Sequence, residues 1–296
     1  MPTVGSLLAE AKALLAAAPF RPPPREAHLL LGRVLGLTEA RLLARDADPV
    51  APAAERAFRG LLGRRLAGEP VAYLVGEREF YGRPFRVDRR VLVPRPETEH
   101  LVEAALALER AGRVPPDARV LDVGTGSGAI AVTLALERPA WRVVGSDLSL
   151  AALALARDNA RRLGARRLRL AAADLTAALR LERFDLLVSN PPYIAHEEAA
   201  ALSPEVREFE PHGALFAPGV GGQEPGAAAP GAAGTGIASA LLESATALPA
   251  RAPLVLEIGR GQLEAVRALA ARHGRSVERV VPDLSGIPRV VVLSRA

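Results

Sequence analysis

At 296 residues and 31.1 kDa, with 49% hydrophobic and 24% charged side chains, the chain can fill two modest domains and is neither disordered nor fibrous. It has no cysteine, which excludes disulfides, thiolate metal sites and cysteine nucleophiles, and no apolar run reaches the roughly 18 residues of a membrane span. The net charge of +5 lies wholly in the first third: residues 1–93 hold 15 basic and 10 acidic side chains and the remainder 23 of each, so a basic module faces an acidic partner or a nucleic acid, or simply carries solvated helix faces.

The opening segment carries Glu10 and Lys12 where a signal peptide needs an unbroken apolar stretch, and the expectation is a cytoplasmic protein. Up to about residue 72 the apolar spacing of three and four predicts helices over SLLAEAKALLAAA, REAHLLLGRVLGL, EARLLAR and AAERAFRGLLGRRLA, punctuated by prolines and glycines. EREFYG and PFRVDRRVLVP then alternate as two short strands around Gly82 and Arg83. From Asp117 the period changes. RVLDVG (119–124), WRVVGSD (141–147), RLRLAAAD (167–174), FDLLVSN (184–190) and APLVLEIG (252–259) are short β-rich runs, mostly separated by helical stretches, which predicts a parallel sheet with right-handed crossovers. A further helix, GQLEAVRALAARHG, precedes VERVV and PRVVVLS, read as an antiparallel pair. The Gly/Ala/Pro-rich stretch 219–236 reads as an exposed loop of low order. The expected division is a helical bundle over 1–76, a hairpin linker over 77–93 and an α/β domain over 94–296.

Val120-Leu-Asp-Val-Gly-Thr-Gly-Ser-Gly128 runs a strand into Gly124, Thr125, Gly126, Ser127 and Gly128 and then into a helix from Ala129. Glycines suit a sharp turn where a ligand must approach backbone N–H groups with no Cβ in the way. Asp147 ends the second strand, where a carboxylate can accept both hydroxyls of a ribose. By itself this stretch leaves S-adenosylmethionine, a dinucleotide and a ligand-free turn open. Asp122, Asp147 and Asp174 close adjacent strands and are expected to line one crevice. There Asp174 suits the exocyclic amine of adenine, or a helix N-cap, and Leu175 offers the ring an apolar surface.

Ser189-Asn190-Pro191-Pro192-Tyr193 ends the fourth strand in the same crevice. The two prolines donate no N–H, so their carbonyls and the Asn190 side-chain oxygen are acceptors with little local competition. Such a site suits a planar NH2 group that gives both hydrogens to acceptors while its nitrogen faces a methyl donor, with Tyr193 against the plane. Arg95, Glu97 and Glu99 either cap and charge a helix start or line the mouth of the site. The five histidines show no metal spacing.

Asp122-Val-Gly-Thr-Gly-Ser-Gly with Asp147, Asp174 and Asn190-Pro-Pro-Tyr193 resembles the class I S-adenosylmethionine-dependent methyltransferases that act on exocyclic or amide nitrogen. Further motifs, Arg65-Leu-Ala-Gly-Glu-Pro-Val-Ala-Tyr73, Gly76-Glu-Arg-Glu-Phe-Tyr-Gly82, Val91-Leu-Val-Pro-Arg-Pro-Glu-Thr-Glu99, Phe209-Glu-Pro211, Leu256-Glu-Ile-Gly259 and Asp283-Leu-Ser-Gly-Ile-Pro-Arg289, are similar to the PrmC/HemK family over nearly the whole chain. The resemblance implies a seven-stranded Rossmann-like domain behind a helical bundle that binds the substrate protein. It implies methylation, from S-adenosyl-L-methionine to S-adenosyl-L-homocysteine, of the Gln N5 in the Gly-Gly-Gln motif of peptide chain release factors. By position, Gly124 to Gly128 and Asp147 would hold the donor, Leu175 would flank adenine, and Asn190, Pro191, Pro192 and Tyr193 would bind the glutamine. Further expectations are a monomer that needs no nucleic acid, membrane or metal. An adenine-N6 nucleic-acid methyltransferase and a ribosomal-protein glutamine methyltransferase are the alternatives. The chain departs from the family after Gly221-Gly222, where Gln223-Glu224-Pro225 enters a longer Gly/Ala/Pro stretch.

Overall fold

A computed structural model describes residues 1–20, 22–216 and 233–295; most of the stretch 219–236 lies outside them. The chain divides into two compact units, Met1–Glu77 with Leu202–Phe209, and Arg78–Ala201 with Glu210–Ala296.

The first unit is helical: Val4–Ala17, Arg25–Leu35, Glu39–Leu43, Pro52–Leu66 and a short Val71–Val75 that the periodicity did not reveal. Thr3 and Ser6 form a reciprocal capping box at the first helix, and Pro52 opens the fourth, where its missing N–H costs nothing. Leu7, Leu15, Leu30, Leu31, Leu42, Phe58 and Leu62 form the core, as the three-and-four spacing requires. Arg65 is buried within this unit, donating to Glu26 at 2.6 Å and to Glu205 at 3.0 Å, with its guanidinium 4.5 Å above the Phe20 ring. That pairing explains why residues 202–209 belong with the bundle although they are distant in sequence.

From Glu77, the last residue of the Met1–Glu77 stretch of the first unit, a hairpin of β1 (Glu77–Phe80) and β2 (Arg83–Arg86) turns through Tyr81 and Gly82, both at positive φ. It is anchored. Tyr81 N–H donates to Glu99 at 2.8 Å, Arg83 pairs with Glu137 at 2.6 Å, and the buried Asn159 side chain bonds both backbone groups of Arg86, at 2.8 and 3.0 Å. The other Asn159 N–H reaches the Ser127 carbonyl at 2.9 Å, so one side chain ties the hairpin to the glycine loop.

Seven further strands form one sheet: β3 (Arg119–Val123), β4 (Arg142–Asp147), β5 (Arg169–Ala172), β6 (Leu186–Ser189), β7 (Leu254–Glu257), β8 (Arg275–Pro282) and β9 (Pro288–Arg295), in the order β5-β4-β3-β6-β7-β9-β8. β9 runs antiparallel to both its neighbours, inserted between β7 and β8 rather than standing at the edge, and the remaining pairings are parallel. The central strands β3, β6 and β7 are apolar on both faces because both are covered, whereas β5 and β8 at the edges carry exposed polar residues. Val120, Val188, Val255 and Val290 join one core, and Leu121, Leu187, Leu256 and Val291 the other. The chain winds from β3 outward to β4 and β5, then returns to β6 on the other side of β3. The carboxyl ends of β3 to β6 therefore open a crevice at the switch point, where open α/β sheets bind ligands.

Candidate active site

A cavity of about 370 Å³ occupies that crevice. One wall is the loop after β3. Gly124, Gly126 and Gly128 all adopt positive φ, but they serve different ends. A Cβ built on Gly124 would meet nothing within 4 Å, so the backbone there faces open space in the cavity. A Cβ on Gly128 would press on Ala156 at 3.2 Å and Val132 at 3.3 Å. Gly128 is not among the residues that line the cavity; it lets the helix Ala129–Glu137 pack against Leu150–Leu163.

Asp122 is wholly buried behind the loop and off the cavity wall, where it holds the loop. Its Oδ2 accepts from Thr125 at 2.7 Å while Oδ1 lacks a side-chain partner, and burial pushes the carboxyl up to about 7. Thr125 fits beside it only because Gly145 stands opposite Asp122 on β4, where a Cβ would come within 2.8 Å of Thr125 Oγ1.

Thr125, Gly126 and Ser127 line the cavity, as do Asp147, Asp174 and Leu175. Asp147 accepts from Gly126 N–H and Ser149 N–H, both at 2.8 Å, which fixes the carboxylate at the lip with its remaining lone pairs available. Leu175 holds a positive φ of 51° there. Leu148, next to Asp147, is 72% exposed and also lines the cavity, an apolar surface that sequence reasoning passed over.

The opposite wall carries Asn190 and Pro192 from the end of β6. Asn190 Nδ2 donates to Thr98 Oγ1 at 3.1 Å. Pro191 and Tyr193 are not part of this lining. The Tyr193 ring lies over Gly259, its carbonyl accepts from Gln262 at 2.8 Å, and burial, with Glu257 nearby, pushes the phenol up to about 12. Arg95 lines the cavity and donates to the buried Glu210 at 2.6 Å, whereas Glu99 is spent on the hairpin. Thr98 and Glu257 went unnoticed in the sequence as site residues. Glu257 ends the otherwise apolar strand β7, is 2% exposed, and is pushed up to about 7 chiefly by burial. A single acidic residue closing an apolar strand was the available signal.

This geometry joins a glycine-lined, carboxylate-lipped half-cavity to an amide-bearing wall. Residues 6–76 match the model of the PrmC N-terminal domain, and residues 102–207 that of the methyltransferase small domain. The release factor glutamine methyltransferase of Cereibacter sphaeroides is 47% identical over 94% of this chain and 93% of its own length. That of Bordetella pertussis is 48% identical over 90% and 93%. The chain belongs to the release factor glutamine methyltransferase family. As a member of it, the chain is a methyltransferase. The catalytic domain of hMettl16, solved in complex with MAT2A 3'UTR hairpin 6, shares the fold at a TM-score of 0.56 and 14% identity, over 79% of this chain and 81% of that one.

Proposed function

We propose that this enzyme transfers the methyl group of S-adenosyl-L-methionine to the side-chain amide nitrogen, N5, of the glutamine in the Gly-Gly-Gln motif of peptide chain release factors. S-adenosyl-L-homocysteine leaves as the second product. On this reading the enzyme is a cytoplasmic monomer that requires neither nucleic acid nor membrane. What carries the reading is the Asn190 carboxamide, held on the wall of the cavity whose other wall is the Gly124 loop.

The cavity residues fit the donor. Gly124 and Gly126 leave their backbone open to it, and Asp147 keeps lone pairs for two ribose hydroxyls. Asp174 and Leu175 offer an acceptor and an apolar face for adenine. When bound, S-adenosylmethionine supplies a methyl group on a sulfonium, whose transfer is strongly downhill. The difficulty lies with the acceptor, because an amide nitrogen's lone pair is delocalised into its carbonyl. Asn190 Oδ1 and the Pro191 carbonyl accept the two amide hydrogens and hold the nitrogen about 3 to 3.5 Å from the carbon it attacks. Tyr193, its phenol pushed up to about 12, stays neutral and does not act as a base. As the nitrogen–carbon bond forms and the carbon–sulfur bond breaks, the nitrogen becomes acidic and its proton passes to water.

A single incubation with labelled donor tests the substrate, offering a release factor, a ribosomal protein and duplex DNA together. Label should enter the release factor alone, and only while its Gly-Gly-Gln glutamine is intact. Label on the ribosomal protein or the DNA in preference would overturn the proposal.

A further inference from the structure

A second cavity lies at the other end of the sheet. It has a volume of about 960 Å³ and opens among the amino ends of β3, β4 and β5, whose first residues are Arg119, Arg142 and Arg169. Arg166 and Arg167 reach it from the turn before β5, and Arg180 and Arg183 from the segment before β6. All seven are exposed, and among the described residues no aspartate or glutamate lines the cavity. Residues 94–296 hold 23 basic and 23 acidic side chains, so this is a segregation of charge within a neutral stretch.

Several other arginines of this unit face a carboxylate, among them Arg83, Arg95, Arg113 and Arg138. None of the seven makes an ion pair among the described residues. Arg167 donates to the Pro139 carbonyl at 3.3 Å. Asp185, next to the cavity-lining Phe184, is taken up by the Arg119 backbone N–H at 3.0 Å and by Arg251 at 3.2 Å. Arg119 and Arg142 stand directly opposite each other in the β3–β4 register, and like charges so placed work against the sheet. A ligand that brings negative charge relieves them.

The residues present also define that ligand. A guanidinium matches a phosphate with two parallel N–H donors, and seven of them carry more positive charge than a single phosphate group neutralises, so the cleft suits a chain of phosphates. No aromatic face is offered for base stacking: Trp141 is 1% exposed, with its Nε1–H on the Pro115 carbonyl at 3.2 Å, and Phe184 is buried. Recognition therefore falls on the backbone and not on the order of the bases. Arg142 and Asp147 end β4 on opposite sides, about 16 Å apart at the usual rise of a strand, so a ligand here leaves the donor cavity free.

We propose that this cleft is a binding site for the phosphate backbone of single-stranded RNA. It holds the enzyme on RNA and takes no part in methyl transfer, which proceeds without it. The choice of RNA over DNA rests on the release-factor reading given above, since a peptide chain release factor is a component of translation; the phosphate site itself does not.

The test is fluorescence anisotropy of a labelled RNA strand of about 20 nucleotides, titrated with the full-length enzyme at several salt concentrations with neither donor nor release factor present. Arg142→Gln/Arg167→Gln/Arg169→Gln should bind at least about tenfold more weakly near physiological salt, with a salt slope shallower by about 2, at roughly 0.7 per lost phosphate contact. Arg41→Gln/Arg45→Gln/Arg56→Gln removes the same charge from exposed positions on the helical bundle and should change affinity less than about threefold. RNA should bind at least as tightly as DNA of the same sequence, and polyglutamate at equal charge should not displace it. No measurable binding by the wild type, an unchanged affinity and slope in the cleft variant, or an equal loss in the bundle variant overturns the proposal. So does tighter binding of the DNA strand, or displacement by polyglutamate. If the triple variant does not fold, Arg142→Gln and Arg167→Gln decide singly, each with a slope shallower by about 0.7. The anisotropy measurement involves no methylation, so its failure is distinct from a failure of the release-factor reading, which the incubation with labelled donor tests.

Discussion

Asn190→Ala should lower the turnover rate at least a hundredfold while changing donor affinity less than about fivefold. The substitution removes an acceptor from the cavity wall and leaves one substrate amide hydrogen without its partner, at a cost of about 1 to 3 kcal/mol. The same contact sets the angle at which the nitrogen meets the methyl carbon, so the loss grows in the transition state and appears in the rate. A hundredfold corresponds to about 2.7 kcal/mol, at the upper end of that range before any misalignment is added. Donor affinity is spared because the Gly124 loop and Asp147 lie on other strand ends. Steady-state kinetics with a release factor, paired with calorimetry, checks both halves. A variant that keeps its turnover rate and only raises the Michaelis constant would make Asn190 a uniform-binding residue.

Gly124→Val should weaken S-adenosylmethionine binding more than a hundredfold in a chain that still folds. Gly124 holds φ at 73°, where an L-residue costs about 1 to 2 kcal/mol and a β-branched one is a clear outlier. A Cβ there meets nothing within 4 Å and enters open cavity space, which is the space the proposed donor would need. Gly128→Ala gives the contrast: its methyl meets Ala156 at 3.2 Å, away from the cavity, and the expected consequence is a lower melting temperature more than a lost ligand. Calorimetry and thermal melts distinguish the two. Donor affinity within tenfold of wild type in a folded Gly124→Val protein would mean that the loop does not approach the donor.

The strand ends were legible because each is a short apolar run stopped by a residue of distinctive chemistry. Asp147, Asp174 and Asn190 reach one cavity for that reason. The glycine loop was legible as a motif but not residue by residue. Gly124 opens onto the cavity, Gly128 makes room for a helix, and Asp122 supports the loop from behind, a division of labour set by the neighbours that β4 and the helix Leu150–Leu163 supply. Thr98 and Glu257 were hidden because their partners are remote in sequence: Thr98 meets Asn190 92 positions later, and Glu257 arrives only through the pairing of β7 with β6. The insertion of β9 beside β7 was hidden likewise, since adjacency in sequence indicates its hairpin with β8 but not the second partner. Both asparagines of the chain prove to be fixed by hydrogen bonds, Asn159 to the backbone of Arg86 and Ser127 and Asn190 to Thr98.

Fragmentation mass spectrometry of a release factor incubated with the enzyme and S-adenosylmethionine tests the central claim most directly. Positioning by two acceptors selects a primary amide nitrogen, so the account predicts one added methyl group on the side-chain nitrogen of the glutamine in Gly-Gly-Gln and none elsewhere. A methyl group on a carboxylate, on a backbone nitrogen or on any other residue of the release factor would contradict it.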